Sequence, residues 1–149
     1  MFNILIIAVS VLLLFYWFRY TCLLLLRTKP VRDYSKQVAV ANQLTFFEVR
    51  GSLATGEAGR QFDELEKMLQ RDYRLVMYLI RHAANFRTAG SELEQRMLML
   101  DFYIMKMVYR LSKRFSPSQA RHPLEEMAHI IAHFANAMGE RAAVAASHA

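Results

Sequence analysis

The densest group of potential ligands in the chain lies near its C-terminus: His122, Glu125, Glu126, His129 and His133. His129 and His133 are four positions apart, a spacing that sets two imidazoles on one helical face. Glu126-Met127-Ala128-His129 matches the Glu-x-x-His element of carboxylate-bridged di-iron proteins. That chemistry needs the element twice, with two further inward glutamates. Glu64-Leu65-Glu66-Lys67 and Glu94-Gln95-Arg96-Met97 both lack the histidine. A catalytic zinc site needs three protein ligands, and the sequence does not place Glu125 or His82 as the third. The group therefore implies at most a metal or haem site on His129, His133 and Glu126. Surface or helix-cap histidines are the simpler expectation, with no cofactor.

Other catalytic chemistries find less support. His82 lacks the flanking acid or lysine of a phosphorelay histidine. The single cysteine, Cys22, sits in an apolar run, and no serine occupies a Gly-x-Ser-x-Gly turn. The glycines between Gly51 and Gly59 lack the Lys-Ser/Thr ending of a phosphate-binding loop. Tyr16, Trp17, Tyr20, Tyr103 and Tyr109 could be read as a redox chain, but aromatics ending an apolar run suit a membrane-interface belt better. The expectation is a protein without catalytic activity.

The element that must position everything else is the N-terminal run. From Ile4 to Leu26 the only charged residue is Arg19. As a helix this stretch spans roughly 35 Å, enough to cross a ~30 Å hydrocarbon core. A cleaved signal peptide needs positive charge before the run and small residues after it. Here no Lys or Arg precedes Ile4, and Phe15-Tyr16-Trp17-Phe18 is bulky. Residues 1–28 thus read as a retained transmembrane anchor. Arg19, Arg27, Lys29 and Arg32 all lie toward its C-terminal side, which by the positive-inside rule puts the N-terminus outside and the rest in the cytoplasm. The single cysteine fits a reducing compartment, and an inner membrane of bacterial type is the expected location. Arg19 is costly at that depth. It either snorkels to lipid phosphate beside Tyr16 and Trp17 or meets an acid on a partner's transmembrane helix.

The net charge of +6 over 149 residues suggests nucleic acid until its distribution is considered. Arg19, Arg27, Lys29 and Arg32 supply four of the six, and from Asp33 onward 15 basic residues face 13 acidic ones. A near-neutral domain is a poor footprint for nucleic acid. The charge instead favours anionic lipid headgroups.

Helical periodicity organises the remaining sequence. Residues 29–50 read as one juxtamembrane amphipathic helix, with Pro30 ending the anchor and Asp33 as a cap. Residues 51–59, with Gly51, Gly56 and Gly59, read as a linker. Residues 60–141 read as a helical bundle. A long helix carries Phe62, Leu65, Leu69, Tyr73, Val76 and Ile80 on one stripe. A second begins at a Ser91–Glu94 capping box, its core stripe being Leu93, Met97, Leu100, Ile104, Met107 and Leu111, widened by Leu98, Phe102 and Met105. A third follows Pro123, with Leu124, Met127, Ile131, Phe134 and Met138 inward and Gly139 loosening or ending it. Residues 142–149 read as a flexible tail. The expected fold is all-α, a single transmembrane helix followed by a small cytoplasmic antiparallel bundle of three to four helices.

Two features point to partners. The second bundle helix is methionine-rich and apolar on more than one side, so Met99, Phe102, Tyr103 and Tyr109 are candidates for a protein interface. Lys106, Arg110, Lys113, Arg114 and Arg121 form a basic patch suited to the cytoplasmic leaflet. The expected role is that of an accessory or assembly subunit of a larger membrane complex. The alternatives are a homo-oligomeric scaffold and a metal- or haem-binding redox subunit. Expected partners are lipids and membrane proteins or further copies of the chain, not nucleic acid.

Overall fold

The computed structural model describes residues 2–28, 30, 32–56, 61–82 and 92–147. Within them the chain forms six α-helices and no strand: α1 (Phe2–Arg27), α2 (Ser35–Asn42), α3 (Phe46–Thr55), α4 (Phe62–His82), α5 (Glu92–Phe115) and α6 (Arg121–Ser147). A short 3-10 turn, Pro117–Ala120, leads into α6.

The core is built around α6, which packs against α2, α3, α4 and α5. Leu124, Met127, Ile131 and Phe134 recur at three- and four-residue steps and, with Ile130 and Ala135, are at most 1% exposed. Burying a side chain of the larger types contributes roughly 1.5–3 kcal/mol, so this stripe fixes which face of α6 points inward. Pro123 falls in the first turn, where its missing N–H would have had no intrahelical partner. The helix does not end at Gly139. It continues through Ser147, so most of the expected tail is helical. Gly139 is instead a contact point: a Cβ there would collide with Tyr34 Cβ and sit 3.1 Å from both Tyr34 Cγ and Val38 Cγ2. Only glycine lets the start of α2 approach α6 this closely. The Tyr34 N–H donates to Asn136 Oδ1 at 2.6 Å, one turn away.

Residues 29–50 do not form one helix. α2 ends at Gln43, whose φ of 53° is left-handed. The Leu44 N–H then donates to Ala39 O at 2.9 Å and that of Gln43 to Val40 O at 3.4 Å, the paired bonds that close a helix C-terminus when the next residue turns left-handed. After this turn α3 runs on through Gly51, and Leu53 is 1% exposed. The first part of the expected linker is therefore helix, with Leu53 in the core. Its real stop is Gly56, left-handed at φ 74°, and residues 57–60 lie outside the described set. The first N–H groups of α3 have no cap of their own. Asp72 of α4 supplies one, accepting from the Thr45 N–H at 2.6 Å and the Thr45 hydroxyl at 3.2 Å.

α4 and α5 pair through a run of contacts in opposite chain order. Asp63 accepts from Tyr109 Oη at 2.8 Å and pairs with Lys113. Glu66 faces Arg110 at 3.7 Å, and Gln70 accepts from Lys106 Nζ at 3.2 Å. Tyr73 stacks on Phe102 with centroids 3.9 Å apart. Four of the five residues in the expected basic patch thus have partners here, Arg121 pairing with Glu125 at 2.7 Å. The turn joining the two helices, with the Ser91 of the capping box, lies outside the described residues.

α5 is turned relative to expectation. Its buried residues are Leu98, Asp101, Phe102, Met105 and Tyr109. Of the stripe expected to be core, Leu93, Leu100, Met107 and Leu111 are exposed on the outer face, whereas Met97 and Ile104 pack partly on the core beside the buried Leu98, Phe102 and Met105. Phe102 and Tyr109, each 1% exposed, are therefore core residues and offer no interface. Tyr103 is exposed and Met99 partly buried.

α1 is long and apolar enough to cross a membrane, and none of its apolar window is covered by the chain. Only its C-terminal third touches α5 and α6, with Phe18, Cys22 and Leu26 packed on the core.

Candidate functional site: the junction of anchor and domain

The helical period brings Phe18, Arg19, Cys22 and Leu26 to one side of α1, and that side lies against α5 and α6. Cys22 is fully buried, its Sγ 4.0 Å from Met97 O. One turn earlier Arg19 reaches both helices. Its Nη1 and Nη2 donate to Glu126 Oε1 and Oε2 at 2.6 and 2.8 Å, a two-pronged fit of guanidinium on carboxylate. Nη1 also donates to Asp101 Oδ1. The side chains of Asp101, Glu126 and Arg19 are 0%, 5% and 18% exposed.

Both sequence expectations for Arg19 set its counter-charge outside the chain, on lipid phosphate or on a partner. The structure supplies two carboxylates from within. A partial signal existed: one cation, Arg19, in an apolar run, and one acid, Asp101, set among apolar residues of a helix. Nothing local pairs Asp101 and Glu126 with it, since they stand 82 and 107 positions from Arg19.

One guanidinium faces two carboxylates, and Asp101 Oδ2 is buried with no hydrogen-bond partner. Burial pushes the Asp101 carboxyl up to about 6, against the opposing pull of Arg19, with Glu126 adding repulsion. One proton on this coupled pair of carboxylates neutralises the cluster. Breaking one partner of such a buried group costs about 3–5 kcal/mol, so the cluster fixes one seating of α1 on the domain.

The expected metal set is not assembled. Glu126 is committed to Arg19, His133 Nε2 faces Glu94 at 3.7 Å, and His129 is exposed. His122 lies 4.0 Å from Glu126 on the solvent side. Among the described residues no group of three or more His, Cys, Asp or Glu could hold a metal ion. His129 and His133 do share the wall of one cavity of about 500 Å³, with Leu25, Arg50, Glu94 and Asn136. Burial holds the His133 imidazole below its ordinary value, against the opposing pull of Glu94.

Tyr16 and Trp17 are exposed on the bare part of α1, and Arg27 and Arg32 are exposed at its far end. Lys29 lies outside the described residues. No known protein family, curated protein or solved structure matches the chain.

Proposed function

We propose that this chain is a non-enzymatic, single-pass protein of a bacterial-type inner membrane, with its N-terminus outside and its helical domain in the cytoplasm. Its role is that of an accessory or assembly subunit in a larger membrane protein complex. The apolar length of α1 and its uncovered surface support a membrane span. Arg27, Lys29 and Arg32 after the span support the orientation.

One observation carries the functional reading: the buried cluster of Arg19, Asp101 and Glu126. A tether that merely keeps a domain near a membrane needs no fixed angle, and a flexible linker serves it. Joining span and domain through a buried, desolvated ion cluster is costly. It makes sense where the domain must meet a partner at a set height and orientation. The partner this suits is another membrane protein, packing a transmembrane helix on the bare side of α1.

The test is the mass of the complex released from native membranes in mild detergent. A second chain in fixed stoichiometry, lost in Arg19→Met while that variant still inserts, is the expected result. A monomer, or an assembly of this chain alone, rejects the accessory role, and the latter favours a homo-oligomeric scaffold.

A further inference from the structure

The outer face of α5 is apolar and uncovered: Leu100, Tyr103, Met107, Leu111 and Phe115 are between 53% and 82% exposed. Their three- and four-residue spacing puts them on one side of the helix. Lys106, Arg110, Lys113 and Arg114 are interspersed along the same stretch.

The direction of α5 says where this face lies. Cys22 touches Met97 and Arg19 touches Asp101, so α5 runs opposite to α1. Beyond Asp101 it heads toward the end of the molecule from which the bare part of α1 emerges. Leu93, 70% exposed, sits at the other end of the helix.

The length of α1 adds a second constraint. Its fully exposed stretch runs from Phe2 to Trp17, 16 residues, or about 24 Å at 1.5 Å per residue. A hydrocarbon core is ~30 Å thick. The bare helix is thus short by roughly 6 Å, and pulling the domain against the bilayer is one way to make up the difference. The part of the domain brought there includes the C-terminal half of α5, with the start of α4 paired to its inner side.

Resting on the reading that α1 spans a membrane, we infer that the α5 face from Leu100 to Phe115 lies in the lipid interface. Its apolar side chains enter the headgroup–acyl boundary and Arg114 snorkels to phosphate, while Lys106, Arg110 and Lys113 keep their partners on α4. The protein then holds the bilayer at two places, across it with α1 and at its near face with the C-terminal half of α5.

The test uses the full chain in vesicles of zwitterionic and anionic phospholipid. In a Cys22→Ala background, single cysteines replace Leu12, Leu93, Met107, Leu111 and Phe115, each labelled with an environment-sensitive fluorophore. Expected are several-fold stronger quenching by shallow nitroxide lipid, and several-fold weaker quenching by iodide, at 107, 111 and 115 than at 93. Equal iodide quenching at all four overturns the inference. So does protection from both quenchers at 107, 111 and 115, which means that a protein, a second copy or another chain, covers the face. Leu12→Cys reports separately on the span. If deep nitroxide lipid fails to quench it, the membrane reading itself falls. If it is quenched while position 111 stays in water, only the α5 inference fails.

Discussion

Replacing Arg19 by methionine keeps the volume of the α1 contact and removes its charge. Asp101 and Glu126 are left facing each other with side chains 0% and 5% exposed. Removing one partner of a buried ion group costs about 3–5 kcal/mol. The loss is local, because α2 to α6 keep their own core, so it appears as opening of α1 from the domain. Cys22 reports that opening: it is the only cysteine, fully buried, and one turn from Arg19. When opening is fast relative to labelling, the rate of reaction with a maleimide follows the opening equilibrium. A factor of ten per 1.4 kcal/mol then gives labelling roughly a hundred- to a few-thousand-fold faster than in the wild type. The measurement belongs at pH 8, where protonation relieves the stranded carboxylates least. A combined Arg19→Met, Asp101→Leu, Glu126→Met variant removes all three charges and should return most of the protection, as apolar replacement of buried ion groups often does. Unchanged labelling in Arg19→Met refutes the idea that the cluster seats the anchor. A combined variant as labile as the single one refutes uncompensated charge as the cause.

Three further outcomes follow from the packing and the charges. Gly139→Ala gains helix propensity of about 1 kcal/mol, but its Cβ meets the Cβ of Tyr34, which cannot swing away. Overpacking of about 1–3 kcal/mol should win, lowering the denaturant midpoint. Asp72→Ala removes the acceptor at the start of α3 and should cost about 1–2 kcal/mol, read as faster amide exchange at Thr45 and Phe46. Burial raises Asp101 to about 6 from an ordinary 3.8, so the folded state binds this proton more tightly than the unfolded one. Stability from this group therefore rises as pH falls from about 6 toward 4, and Asp101→Asn should flatten the midpoint over that window. Asp63, held below its ordinary value by Lys113 and Tyr109, acts in the opposite sense and at lower pH, so the two are separable.

The long apolar helix α1, the helical class and the core stripes of α4 and α6 were readable because each rests on one signal, an apolar run or apolar residues at a helical period. α5 was misread because two of its faces satisfy that signal. Leu93, Leu100, Met107 and Leu111 form the more regular stripe, and the buried one contains Asp101, which argues for solvent unless Arg19 is known to meet it. The glycines misled for a related reason. Gly51 sits inside α3 with open space around it, Gly56 ends that helix, and Gly139 admits a neighbour. Composition alone does not distinguish the three. The Arg19 cluster could not be derived locally at all, since its members are joined only by the final packing of α1, α5 and α6.

That cluster also sets an order of events during synthesis. Ribosomes add about 5–20 residues per second, and Glu126 follows Arg19 by 107 positions. For roughly 5–20 s the nascent chain therefore presents its apolar run with an arginine whose counter-charges are not both made, Asp101 coming 82 positions after Arg19 and Glu126 last. α1 is complete before the domain exists to hold it, and it is seated only when α6 begins. A chain cut short before Glu126 carries the apolar helix without its second latch.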